Sequence, residues 1–232
     1  MDGLKRFYWD NDFDKQIEVK GEILNHIKVL RLEIQDRVVL QNEFNIGLYE
    51  IEAISKRNIL LRQISIKNSS KPNYRLIACI SLMKREYMDN TIEKLAELGV
   101  TEVVPVLTER SLKQLNGETL LRYQKKAIFG SLQAENNFIT KVMPARELKD
   151  LIFNDCEKIL FYERAGKQFP NVSSSDVAFF VGPEGGLSVD EVNYLNRVGF
   201  QVCSPFKSIL KGETAAIVFA GLLRSEIEKL LF

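Results

Sequence analysis

The 232-residue sequence predicts an α/β protein in two parts: a small β-barrel with one short helix, then a domain of alternating strands and helices. Three observations carry this expectation. Residues 1–66 hold short runs with apolar alternation, separated by Gly and Asn, which is the pattern of half-buried strands. The polar stretch KNSSKPN at 67–73 has no periodicity and is punctuated by proline, so it marks a linker. Beyond it, apolar runs alternate with stretches of helical period, which implies a mostly parallel sheet that holds ligands at the carboxyl ends of its strands. The expected domains are therefore 1–70 and 71–232.

In the first domain the strands are IEVKG, DRVVLQ, FNIGLYEIEAI and NILLRQISI. EILNHIKVLRLE, with the Ile34 that follows it, places Ile23, Ile27, Leu30 and Ile34 at helical spacing and reads as the one short helix. The second domain opens on RLIACISL, a buried strand. MDNTIEKLAELG follows as a helix with Met88, Ile92 and Leu95 on one face and Gly99 as its C-cap. TEVVPVLT, KILFYE, VAFFVG and FQVCS are further strands, with helices expected near 118–136, 145–153 and 188–198. Ser188 and Glu191 have the spacing of a capping box and start the last of these. The terminal stretch ETAAIVFAGLLRSEIEKLL stacks Ala216, Ala220, Leu223, Ile227 and Leu230 in one stripe.

Composition narrows the function. Apolar residues at 45% and charged residues at 27% are ordinary globular values. No apolar run approaches membrane-spanning length, and the N-terminus MDGLKRFYWDND has no signal-peptide core, so the expected location is the cytoplasm, away from membranes. Cys79, Cys156 and Cys203 are far apart and read as buried reduced thiols. His26 is the single histidine, which excludes a His-rich metal site and makes most hydrolase mechanisms untenable. Residues 1–70 hold 11 basic and 11 acidic side chains, and the remainder holds 21 and 20. A nucleic-acid partner would therefore have to be met by a local basic patch or as a large shaped particle.

The most informative stretch is FFVGPEGGLSVDE, where a strand breaks into Gly-Pro-Glu-Gly-Gly before a helix start. Strand-to-helix glycine turns commonly cradle phosphate. This one carries Glu184 at its centre and lacks both the Lys-Ser/Thr ending of a P-loop and the three-glycine spacing of a dinucleotide fingerprint. A phosphate guest is disfavoured.

Together with LTER at 107–110, ILKGETA at 209–215, KLAELGVTEVVPVLTER and HIKVLR at 26–31, this loop resembles the SPOUT or α/β-knot methyltransferases. The similarity is to the bacterial family that methylates N3 of a uridine in 16S ribosomal RNA, and it spans nearly the whole chain. It implies an RNA-binding barrel like a PUA domain, joined to a knotted, homodimeric domain that binds S-adenosylmethionine and acts on 16S rRNA within the small ribosomal subunit, with no metal. It also fits the loop, because the cofactor has a sulfonium cation and no phosphate, and Glu184 does not repel it.

By that resemblance Gly182, Glu184, Gly185, Gly186, Ile209, Leu210 and Thr214 surround the cofactor. Arg110 and Lys211 are the cations for a uracil oxygen that gains charge, and Glu213 or Glu184 is the proton acceptor. His26, Lys28, Arg31, Lys84 and Arg85 are expected at the RNA. The chain departs from the family pattern at Asn136, Ser208, Lys211 and Gly212, where Arg, Arg, Arg and Thr are usual. Lysine keeps the charge of arginine without its bidentate geometry. Two other readings stay open: a knot methyltransferase acting on a different RNA, and an RNA-binding assembly factor with weakened catalysis.

Overall fold

The computed structural model describes residues 3–112, 115–166, 169 and 171–232. It resolves into two compact units. One runs to Pro72 and also takes in Glu135–Ile139; the other comprises Asn73–Ala134 and Thr140–Phe232.

The first unit contains β1 (Lys5–Tyr8), β2 (Gln16–Val19), α1 (Gly21–Val29), β3 (Arg37–Gln41), β4 (Asn45–Ile54) and β5 (Ile59–Asn68). Its five strands are ordered β1-β3-β4-β5-β2, with β1 parallel to β3 and the other pairs antiparallel. Alternation sends Val38, Leu40, Tyr49, Ile51, Ile59 and Leu61 to one core, where they meet Phe7 of β1 and Ile17 and Val19 of β2. Because both end strands contribute to that core, the sheet curls around it. Two register shifts in the β4–β5 ladder add local twist to the bend. The fully buried Tyr49 keeps its hydroxyl satisfied by donating to Asp14 O at 3.0 Å.

Two expectations for this region need correction. The short helix buries Leu24 and Ile27, while Leu30 and Ile34 lie outside it and are 37% and 56% exposed. The chain turns away just past Val29, where Arg31 adopts φ 55°, so helical spacing does not extend that far. Residues 135 and 136 are not the end of the middle helix. They belong to a strap on the first unit, where Asn136 O accepts from Gln41 Nε2 at 2.9 Å and Asn137 O accepts from Ser69 Oγ at 2.7 Å.

The second unit is built on β6 (Arg75–Ser81), α2 (Arg85–Glu97), β7 (Glu102–Leu107), α3 (Gly117–Gln133), β8 (Lys141–Val142), β9 (Arg146–Glu147), β10 (Glu157–Phe161), β11 (Asp176–Val181), α4 (Val189–Arg197), β12 (Gln201–Cys203) and α5 (Gly212–Leu231). Its sheet is parallel throughout, in the order β12-β10-β11-β6-β7-β8, with β9 also on β7. The central strands β6 and β11 are covered on both faces, which is why they read as unbroken apolar runs. The helix expected over 145–153 is instead β9 and one 3-10 turn at Leu148–Asp150. Pairing of Arg146 and Glu147 with β7 takes the first residues for the sheet and leaves too few for a helix.

Helices α2 and α3 pack closely at Gly130, where a Cβ would lie 2.2 Å from Glu93 O and 3.0 Å from Ala96 Cβ. A mid-helix glycine costs roughly 1 kcal/mol relative to alanine in an isolated helix, so its presence here is explained by this approach. Gly130→Ala should therefore destabilise the protein by roughly 1–3 kcal/mol by overpacking, in place of the gain that propensity alone predicts. Urea unfolding checks this, and an unchanged or higher midpoint contradicts the close packing.

Candidate functional site

Four parallel strands of the second unit end beside one cavity of about 550 Å³, a volume suited to a small organic ligand. Each strand end supplies part of the wall. Phe161 ends β10 and residues 162–164 follow it, and Val181 ends β11 with residues 182–187 after it. Ser204, Phe206 and residues 208–210 follow β12, and Lys84 and Tyr87 lie beyond β6. The first turn of α5 closes the ring with Lys211, Gly212, Glu213 and Ala215. This is the position where parallel sheets bind ligands, because backbone groups at the strand ends and helix starts have no partners in the ladder.

The Gly-Pro-Glu-Gly-Gly sequence folds as a tight turn, closed by Gly186 N–H donating to Pro183 O at 2.8 Å. Gly186 has φ +70°, a conformation that glycine adopts without a steric penalty. A Cβ on Gly182 would come within 3.0 Å of Leu187 Cγ, and one on Gly185 within 3.4 Å of Arg110 Cβ. Glu184 is exposed, and its Oε1 accepts from the backbone N–H of Lys84 at 3.2 Å, which ties the β11 turn to the end of β6.

In the same lining, the rings of Phe161 and Phe219 stack with centroids 3.5 Å apart at 9°, and Phe206 lies 6.2 Å from Phe219. Ile209 is 77% exposed at the rim. The wall thus combines stacked aromatic rings with polar and charged groups. Among the described residues its charges balance: Lys84, Arg164 and Lys211 stand against Glu163, Glu184 and Glu213. A polyphosphate would gain little from such a site, whereas a ligand that carries cations and an aromatic base matches it. One polar atom awaits a partner, since Glu213 Oε2 is buried without a hydrogen bond among the described residues. A buried acceptor of that kind is costly unless a donor reaches it, so a cationic or N–H-bearing ligand fits this end of the cavity. No thiolate chemistry is available beside it. Burial pushes the Cys203 thiol up to about 12, and it also raises Cys79 and Cys156.

The chain matches the RNA methyltransferase domain family over residues 69–224. It belongs to that family. Among its curated relatives, the ribosomal RNA small subunit methyltransferase E of Mesomycoplasma hyopneumoniae is 29% identical over 223 residues, covering 92% of this chain and 96% of that protein. The enzyme of the same name from Aquifex aeolicus is 26% identical, covering 88% and 91%. In fold the chain is similar to the ribosomal RNA small subunit methyltransferase E from Neisseria gonorrhoeae solved with S-adenosyl methionine, with a TM-score of 0.84, 22% identity and coverage of 96% and 97%.

Within this RNA methyltransferase, the fold brings together most of the residues singled out in the sequence. Gly182, Glu184, Gly185, Gly186, Ile209, Leu210, Lys211, Glu213 and Lys84 all line the cavity. Thr214 does not: it is exposed on the first turn of α5, because each residue rotates about 100° around the helix and Ala215 takes the inward position. Arg110 is also outside the lining; its Nη1 donates to Gly185 O at 3.1 Å, so it braces the turn from behind. Arg85 borders a separate depression with Lys84, Glu86 and Asp89. On the first unit, His26 is exposed with its ring edge-on to Phe7 at 6.0 Å, Lys28 Nζ donates to Lys56 O at 2.8 Å, and Arg31 is exposed.

Sequence reasoning missed Phe161, Phe206 and Phe219, along with Glu163 and Arg164. A usable signal existed for the pair after KILF, since residues just past a parallel strand face the ligand side. It also missed the reason for Gly212. A Cβ there would lie 2.9 Å from Met83 Sδ and 3.2 Å from Gly182 O. Gly212→Ala should cost roughly 1–3 kcal/mol. Combined with Met83→Ala, the loss should be smaller than the sum by at least 0.5 kcal/mol, as for residues in contact. Additive losses in a denaturation series would contradict this packing.

Proposed function

We propose that this chain transfers the methyl group of S-adenosylmethionine to N3 of a uridine in the 16S RNA of the small ribosomal subunit. The observation that carries it is the coincidence of family and cavity. A member of the RNA methyltransferase family holds, at its strand ends, a charge-balanced cavity with an aromatic wall and an unpartnered buried carboxylate oxygen. The near-complete coverage of relatives named for ribosomal RNA small subunit methylation supports the substrate class.

In this reading the turn at Gly182, Glu184, Gly185 and Gly186, together with Ile209 and Leu210, holds the cofactor, and the Phe161 and Phe219 pair borders its apolar side. S-adenosylmethionine, when bound, supplies a methyl carbon made electrophilic by its sulfonium. The uridine must lose its N3 proton, and Glu213 Oε2 is the better acceptor, because an oxygen of Glu184 is already engaged by Lys84 N–H. Lys211, the N-cap residue of α5, is the cation that stabilises the uracil oxygen as it gains charge in this reading. Positioning and electrostatics supply the rate, with no metal required. The reading includes a PUA-like RNA-binding barrel over 1–70, with His26, Lys28 and Arg31 at the RNA. It also includes a trefoil knot in the 71–232 domain, a homodimer held by that domain, and work in the cytoplasm on an assembled subunit.

S-adenosylmethionine and S-adenosylhomocysteine should each raise the melting temperature by roughly 5–10 °C at saturating concentration, and ATP should not. Small subunits lacking the methyl mark should accept labelled methyl groups. Glu213→Gln and Lys211→Ala should lower the saturating rate at least tenfold with little change in cofactor affinity. Cofactor binding without any transfer to small subunits would overturn the catalytic reading in favour of an assembly factor.

A further inference from the structure

Glu191 has a second contact that a helix cap does not need. Its Oε2 accepts from Ser188 N–H at 2.9 Å and closes the capping box of α4. Its Oε1 accepts from the backbone N–H of Glu109 at 2.8 Å. Glu109 immediately precedes Arg110, whose guanidinium donates to Gly185 O and whose side-chain stem lies against Gly185. One carboxylate and one guanidinium thus join the loop after β7 to the start of α4 and to the glycine turn itself.

The loop between them is stiff within itself. Thr108 N–H donates to Ser111 Oγ at 2.9 Å, and that hydroxyl donates back to Thr108 O at 3.1 Å. A stiff turn shifts as one piece, so the contacts at its tip decide where Arg110 points. Glu109 and Arg110 are both exposed, so burial does not hold the tip in place. A carboxylate that accepts two backbone N–H groups is a charge-assisted bridge of defined geometry.

We propose that Glu191 is a positioning residue for the cofactor cavity. Through Glu109 it fixes the loop that carries Arg110, and Arg110 then holds Gly185 in the cavity wall. The proposal rests on the cofactor reading above. The carboxylate has two duties, capping α4 and registering the loop, and Ser188→Ala serves as the control that weakens the same cap from its other side.

Ser188→Ala deletes the acceptor for Glu191 N–H and weakens the cap while leaving the bridge to Glu109 intact. Glu191→Ala deletes the carboxylate contacts to Ser188 N–H and Glu109 N–H but keeps the bond from its own N–H to Ser188 Oγ, and Glu191→Gln retains one acceptor oxygen. Calorimetry with S-adenosylmethionine on the full chain, with amide exchange followed at Glu109, distinguishes them. Glu191→Ala should weaken cofactor binding about tenfold and speed exchange at Glu109, whereas Ser188→Ala should bind within about twofold of the wild type and keep that amide protected. Glu191→Gln should recover part of the affinity. Wild-type affinity in Glu191→Ala, or equal losses in Glu191→Ala and Ser188→Ala, would overturn the proposal and leave Glu191 as a cap alone. A wild type that fails to bind S-adenosylmethionine overturns the cofactor reading itself, and this proposal with it.

Discussion

Two stretches of backbone meet in the second unit with no space for a side chain between them. At the start of α5, Gly212 sits so close to the β11 turn that a Cβ would crowd both Gly182 O and the sulfur of Met83. That approach brings the amino end of α5 to the carboxyl ends of β10, β11 and β12. Everything that could act on a ligand follows from it: Lys211 and Glu213 reach the cavity because the helix begins there, and Phe219 reaches Phe161 two turns later. The small buried residues Ala215, Ala216 and Ala220 let the same helix lie close along its length.

Around this junction the polar contacts act mainly on backbone. Glu184 accepts from Lys84 N–H, Arg110 donates to Gly185 O, and Glu191 bridges Ser188 and Glu109. Charged side chains that hold backbone groups fix geometry more firmly than exposed ion pairs, which contribute little. The turn is therefore shaped by its neighbours from several strands, and Glu213, which lines the cavity, keeps a buried Oε2 without a hydrogen-bond partner among the described residues.

Much of this was legible before any coordinates, and the parts that were not share a cause. VAFFVG followed by Gly-Pro-Glu-Gly-Gly and a capping box is a local signal, and β11, its turn and α4 stand where that signal puts them. The aromatic wall was invisible because Phe161, Phe206 and Phe219 converge only through the parallel order of β10, β11 and β12. Gly212 looked like a lost threonine side chain, and its meaning lies in Met83 and Gly182, which sequence spacing cannot bring together. Thr214 lies outside the cavity lining for a simpler reason, the rotation of a helix by one residue. On the first unit, the spacing of Leu30 and Ile34 matched a helix that had already ended at Val29, and propensity gave no warning of the turn at Arg31. The strap at Glu135–Ile139 was hidden likewise, since contacts with residues distant in sequence, among them Arg6, Gln41 and Ser69, assign it to the first unit.

A crystal structure of the protein grown with S-adenosylhomocysteine tests the central claim most directly. The account predicts ligand density among Gly182, Gly185, Leu210, Phe161 and Phe219, with the Gly186 turn and the Gly212 contact unchanged. Density at another surface of the second unit, such as the depression lined by Glu109, Lys149 and Tyr194, or an empty cavity at a saturating ligand concentration, would contradict it.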